Sequence, residues 1–165
     1  MADGIWAQQR DSYKFRHWVL LVVSFKQVLA YVTRKVKEFQ DAPQQNLRTI
    51  IKPNWRARTD VLRSPGVYVI YSEGKTIYVG MAGKGKHTLN YRIGNLFSYS
   101  AKGNRRFHHT LTKKLLTKFR IFGTIDDVRK FYQSCKLKTV ETETFQQART
   151  LEAVLIELLK PKYND

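Results

Sequence analysis

Apolar and polar positions change their period several times along this chain, and each change marks an element. Apolar residues recur through Val28, Leu29, Tyr31, Val32, Val36 and Phe39 behind a capping Ser12, which predicts a long helix over 12–38. The β-branched run 19–23 leaves a strand open at that point. Residues 41–64, with Pro43 and Pro53, read as an irregular connector. Val67–Tyr71 and Thr76–Val79 flank Ser72-Glu73-Gly74-Lys75 and predict an antiparallel hairpin. Helices are expected at 88–97 and at 106–122, the second ending at Gly123. A short helix running to Cys135, then a strand over Leu137–Thr142, precede a last helix at 145–159. Thr144 and Gln147 form its capping box and Pro161 ends it. The order predicts an α/β (α+β) fold, a small three-stranded mixed sheet flanked by helices, with an N-terminal helical extension over 1–60 and the main domain over 61–165.

Charge changes the picture most. Thirty Lys and Arg face 13 Asp and Glu, a net charge of +17. Between Glu73 and Asp126 there is no acidic residue, while eleven Lys and Arg fall there. A solvated face normally mixes signs, so this segment points to a polyanion. The apolar run Trp18–Phe25 is eight residues long, well short of the roughly 20 a bilayer span needs. With a single cysteine, Cys135, and no cleavage site of the secretory type, a cytoplasmic, non-membrane protein is expected.

Two stretches carry candidate chemistry. Gly80-Met81-Ala82-Gly83-Lys84-Gly85-Lys86 approaches a phosphate-binding loop. His87 then stands where that loop requires a hydroxyl for Mg²⁺, and the preceding strand belongs to a hairpin rather than a parallel sheet, so the nucleotide-hydrolase reading falls. The second stretch is the hairpin itself, where Gly66-Val67-Tyr68 is answered by Tyr78-Val79-Gly80. Downstream stand Leu89-Asn90-Tyr91-Arg92-Ile93, Leu151-Glu152-Ala153-Val154-Leu155-Ile156 and Lys160-Pro161-Lys162-Tyr163-Asn164. In this order the segments resemble the signature of the GIY-YIG endonuclease superfamily over about residues 65–164.

The helical period supports one of these positions independently. At about 100° per residue, Phe145, Ala148, Leu151, Leu155, Ile156 and Leu159 build an apolar stripe, and Glu152 projects inside it. A buried carboxylate needs a cation, an arginine or a metal, whereas Glu157 points to solvent. Tyrosines in a hairpin are ordinarily packing residues, and only their company favours more for Tyr68 and Tyr78.

The resemblance implies metal-dependent hydrolysis of phosphodiester bonds. By it, Tyr68 orients or deprotonates the attacking water, with a phenol acidified by neighbouring cations, and Tyr78 supports it. Arg92 holds the scissile phosphate, Glu152 ligates Mg²⁺ or Mn²⁺, and Asn164 completes the lining. Many members carry a lysine where this chain has Met81, a place Lys84 or Lys86 can take; some carry a histidine where this chain has Leu96. His87, His108 and His109 are auxiliary candidates. Arg56, Arg58, Arg105 and Arg106, with Lys84 and Lys86, are expected to track the phosphates of double-stranded DNA. The small restriction enzymes of the family imply a homodimer, for which the apolar helix 18–32 is one candidate surface and covering the sheet the other use. A non-cleaving nucleic-acid-binding module, a repair or mobile-element nuclease, and membrane-surface binding through 12–38 are the rival readings.

Overall fold

The computed structural model describes residues 24–50, 63–85, 87–97 and 109–164. The chain divides into two compact units, Met1–Lys37 and Glu38–Asp165. A helix, α1, runs over 24–41, and its apolar positions Phe25, Val28 and Leu29 are exposed. The part of the long helix expected before residue 24 lies outside the described residues. Among the described residues no helix is long and apolar enough to cross a membrane.

The second unit is built on four strands, not three, and they are antiparallel throughout rather than mixed. They are β1 (Gln45–Asn46), β2 (Gly66–Ser72), β3 (Lys75–Ala82) and β4 (Lys136–Glu141), in the order β1-β4-β2-β3. The extra strand comes from the segment expected to be an irregular connector. Two residues are too few to show a period of two, and β1 owes its place to pairing with Leu137 and Lys136. A four-residue helix, α2 (Leu47–Ile50), follows and buries Leu47 and Ile50.

The hairpin forms where expected and is longer, because Gly66, Ser72, Lys75 and the residues through Ala82 join the ladder. Helix α3 (Leu89–Gly94) is capped by Thr88, whose hydroxyl accepts from the Tyr91 N–H. The helix expected at 106–122 is shorter and of two kinds. Residues 101–108 are outside the described part; α4 (Thr110–Lys113) runs directly into a π-helical turn, Lys114–Lys118. That turn ends before Gly123, at a chain reversal with Arg120 at φ 50°. Capping boxes start both α5 (Ile125–Ser134; Thr124 with Asp127) and α6 (Phe145–Leu159; Thr144 with Gln147).

The alternation along β2 sorts side chains to the two faces of the sheet. Tyr68 and Ile70 enter one core with Tyr78 of β3 and with Leu89, Ile93, Leu111, Leu115, Val128 and Tyr132, residues of α3, α4, α5 and the π-turn. Val67 and Val69 are buried on the other side, where α6 packs on β2 and β3 with Ala148, Leu151 and Leu155 inward. The sheet is thus a divider, and β3 is its outer strand on the side of the candidate residues.

Candidate active site

Both glycines of the paired tripeptides are required for space. A Cβ on Gly66 would collide with the Val140 carbonyl of the neighbouring strand, and one on Gly80 with the Tyr68 hydroxyl. Tyr68 and Gly80 are directly opposite in the β2–β3 register, so the missing side chain makes room for the phenol. Tyr78 is diagonal to Tyr68 on the same face, with ring centroids 6.2 Å apart.

The outer edge of β3 is closed residue by residue. The Tyr163 N–H donates to the Ile77 carbonyl at 2.9 Å. The Asn164 side chain meets both backbone groups of Val79: its Oδ1 accepts the N–H at 2.8 Å and its Nδ2 donates to the carbonyl at 2.7 Å. Lys114 of the π-turn holds this tail, its Nζ donating to the Asn164 carbonyl at 2.7 Å and the Tyr163 carbonyl at 3.3 Å. An unpaired strand edge is thereby satisfied without another strand.

Beside this edge opens a cavity of about 410 Å³ lined by Tyr78, Lys84, His87, Arg92, Phe145 and Glu152, among others. Arg92 arrives from α3, on the turn whose neighbours Leu89 and Ile93 are buried. Glu152 arrives from α6, half-buried within the stripe as its period requires. Lys84 arrives on a tight loop made by Gly83 (φ 126°) and Gly85 (φ 61°) and closed by the Gly83 N–H donating to the His87 carbonyl. His87 is exposed and stacks edge-on against Tyr91 at 4.7 Å. Three basic side chains and one carboxylate therefore face one opening. Among the described residues Arg92 and Glu152 close no ion pair with each other, unlike Arg129 with Asp126 and Lys160 with Glu157.

Burial sets the protonation of the site. It pushes the Tyr68 phenol well above its ordinary range; Tyr78 adds to the rise, and the Arg92 charge opposes it without winning. This reverses the expectation of an acidified Tyr68: the cost of placing a phenolate in a closed core exceeds the help of one arginine. Burial likewise lifts Tyr78 to about 12, against the opposing pull of Arg92. It raises the Glu152 carboxyl too, with Arg92 and the Met81 N–H pulling down.

The sequence candidates divide clearly. Tyr78, Arg92, Glu152, Lys84 and His87 line the cavity together. Tyr68 is fully buried behind it, and Asn164 is spent on the β3 edge. Lys86, Arg56, Arg58, Arg105, Arg106 and His108 lie outside the described residues. Thr110 and Phe145 also line the cavity and were not expected there. Phe145 had been assigned wholly to the apolar stripe, and nothing in its spacing separates a wall of a cavity from a core.

His109 is the largest gain over the sequence reading, where it was one auxiliary among three. It is buried, its Nδ1 accepts the Leu111 N–H at 3.1 Å as the cap of α4, and its Nε2 is 2.5 Å from the Tyr68 hydroxyl. Burial, then the Arg92 charge, drops its pKa to about 3. It comes from an element remote from the Leu96 position, so the motif spacing could not reveal it.

The chain is similar to GIY-YIG endonuclease domains. One match is the N-terminal endonuclease domain of UvrC from Thermotoga maritima bound to magnesium, its catalytic divalent cation. It is 25% identical, with 62% of this chain and 85% of that one covered and a TM-score of 0.37. A point mutant of the same domain, bound to its catalytic divalent cation, matches at 24% identity over 62% and 84%, with a TM-score of 0.36. No protein-family model and no curated protein matches the chain.

Proposed function

We propose that the protein is a metal-dependent endonuclease acting on DNA phosphodiester bonds at the cavity between Arg92 and Glu152. The observation that carries this reading is the convergence of Tyr78, Arg92 and Glu152, from three separate elements, on one solvent-open cavity in a chain of net charge +17. Structural arginines and carboxylates ordinarily neutralise one another. Here they share an opening without closing an ion pair, which leaves each available to a ligand of opposite charge.

Arg92 presents a planar fork of donors suited to two oxygens of a phosphate, and Lys84 adds a point charge at the rim. Glu152 would hold the divalent ion. A single half-buried carboxylate beside a cavity of this size suits Mg²⁺, which keeps several of its waters, and Mn²⁺ shares the preference for oxygen. When bound, the ion supplies Lewis acidity and positive charge toward the phosphate oxygens. Burial disfavours an ionised Glu152 on its own, so a cation there also relieves a cost the fold otherwise carries. Asn164 acts by holding the strand that bears Tyr78, one residue from Val79. The basic residues around the cavity would track the backbone of duplex DNA, giving affinity without sequence preference. A restriction role is the narrower form of this reading.

The test is incubation of the purified protein with supercoiled plasmid and linear DNA, with Mg²⁺ and with chelator. Metal-dependent cutting is the expected result. Discrete fragments support the restriction role, and smearing supports an unspecific or repair-like one. Tight binding without cutting of either DNA or RNA overturns the enzyme and leaves a binding module.

A further inference from the structure

We infer that a second basic cavity, at the opposite end of β3 from the candidate active site, holds the phosphate backbone of the same DNA molecule, with Lys75 and Lys162 as its principal contacts. The inference rests on the proposed nuclease reading for the identity of the polyanion and adds a binding site remote from the chemistry.

The cavity measures about 630 Å³. Lys75, Lys160 and Lys162 line it against Glu73, over the apolar side chains of Ile77 and Phe131. Lys160, at the end of α6, is paired with Glu157. Lys162 stands on the C-terminal tail with its Nζ 5.2 Å from the centroid of the Tyr163 ring, a contact that orients the ammonium and keeps its charge. Lys75 is the exposed first residue of β3. Lysines on a convex, solvated face point apart. Here they converge on a hollow with apolar walls, which concentrates a field of one sign.

The place of this cavity in the fold selects its occupant. Phe131 comes from α5 and Leu159 from α6, layers on opposite faces of the sheet, so the cavity opens at the edge of β3. The candidate active site is bounded in the same way, by Arg92 of α3 and Glu152 of α6, and opens on the same edge at the far end of the strand. Between the two the tail closes the strand. The Tyr163 N–H meets the carbonyl of Ile77, the bulged residue that pairs with none of β2, and Asn164 meets Val79. Lys75 and Met81 stand about 20 Å apart at about 3.3 Å per residue. Along duplex DNA that span covers about six base pairs at about 3.4 Å each. A short acidic peptide fills one hollow, whereas a DNA backbone carries charge at regular intervals across both. A duplex held at both ends of β3 lies along the strand, which fixes the direction in which its backbone crosses Arg92.

The test measures binding by fluorescence anisotropy in chelator, with the full chain and hairpin duplexes of two lengths. A stem of about 5 base pairs is about 17 Å long and cannot bridge the cavities, whereas one of about 14 base pairs can. Replacing both lysines, Lys75→Gln with Lys162→Gln, is expected to lower the slope of log affinity against log salt by about 2 on the long stem, the counterions of two phosphates. On the short stem, which the active-site cavity still takes, the slope should change little. Lys75→Arg with Lys162→Arg keeps both charges and should match the native chain. An unchanged slope on the long stem, or an equal loss on both lengths, overturns the inference. So does loss of binding to a polyglutamate peptide with DNA binding intact, which assigns the cavity to an acidic protein. Cleavage of the long stem in Mg²⁺, run alongside, separates the two claims. Cutting by the native chain without the slope change discards the second site and keeps the nuclease; the slope change without cutting keeps the site and discards the nuclease. Where both hold, the double glutamine variant should show a raised KM and an unchanged kcat.

Discussion

The Nε2 of His109 is 2.5 Å from the hydroxyl of Tyr68, in a core from which both are closed to solvent. The pairing joins the cap of a short helix to the first tyrosine of the hairpin, 41 residues earlier. It ties the protonation of the core to the geometry of the cavity beside it.

This pairing predicts a particular acid limb in stability. His109 is held neutral in the fold, with a pKa near 3 against the ordinary 6.5, through burial and the facing Arg92. A depressed value means that the unfolded chain binds the proton first. The contribution of His109 is therefore complete above pH 6.5 and is lost as pH falls toward 3. Its full size is of the order of 5 kcal/mol at about 1.4 kcal/mol per unit. Urea melts from pH 7 to 4 should show this fall in the native chain and a flatter course in His109→Asn, which keeps the cap and removes the titration. Parallel slopes in the two would contradict it.

Gly66→Ala and Gly80→Ala should differ in kind. At Gly66 the new methyl meets the backbone carbonyl of Val140 and the Leu89 side chain, and a sheet backbone has little room to give. A loss of about 2–3 kcal/mol in denaturant melts is expected. At Gly80 the methyl meets the Tyr68 and Tyr78 rings, which can shift slightly. There the stability loss should be smaller, while cleavage falls by more than the unfolded fraction accounts for. Equal stability costs with normal cleavage by Gly80→Ala would count against the packing described.

Asn164 closes the β3 edge through a single side chain, so its loss should be felt locally. In Asn164→Ala the Val79 amide should lose most of its protection from hydrogen exchange, while the Val69 amide inside the sheet keeps its own. Global stability should drop by only about 1 kcal/mol, because the freed groups reach water. Unchanged exchange at Val79 would show that the tail is held by other means.

Lys160 ends α6 in the left-handed conformation, at φ 45°, and is exposed. Glycine accepts that conformation without a Cβ penalty. Lys160→Gly should raise stability by roughly 0.5–1 kcal/mol in thermal melts, since the exposed pair with Glu157 contributes little. A lower melting temperature would assign the pair a larger part.

How legible this was in the chain depended on range. The hairpin, α6 and the inward Glu152 were readable because period, glycine and capping box act within a few residues of one another. β1 was not: two residues carry no period, and only pairing with β4 makes them a strand. The break at α4 was hidden for a similar reason. Leu111, Leu115 and Leu116 keep a helical spacing, while the change to a π-turn shows only in the backbone hydrogen bonds, as in Phe119 N–H to Lys114 C=O. His109 and Asn164 owe their roles to partners 41 and 85 residues away. The protonation of Tyr68 was misjudged because nearby cations are visible in a sequence and the depth of burial is not.

The central claim is that Glu152 and Arg92 serve one metal-dependent phosphodiester site. It is tested most directly by comparing the native chain with Glu152→Gln for DNA cleavage in Mg²⁺ and for DNA binding in chelator. The account predicts cleavage by the native chain, reduced at least about a thousandfold in the variant, the scale of losing a group that stabilises the transition state. DNA binding in chelator should remain within about threefold, because the phosphate contacts are made by the basic residues. Undiminished cleavage by Glu152→Gln would place the chemistry elsewhere and contradict the account.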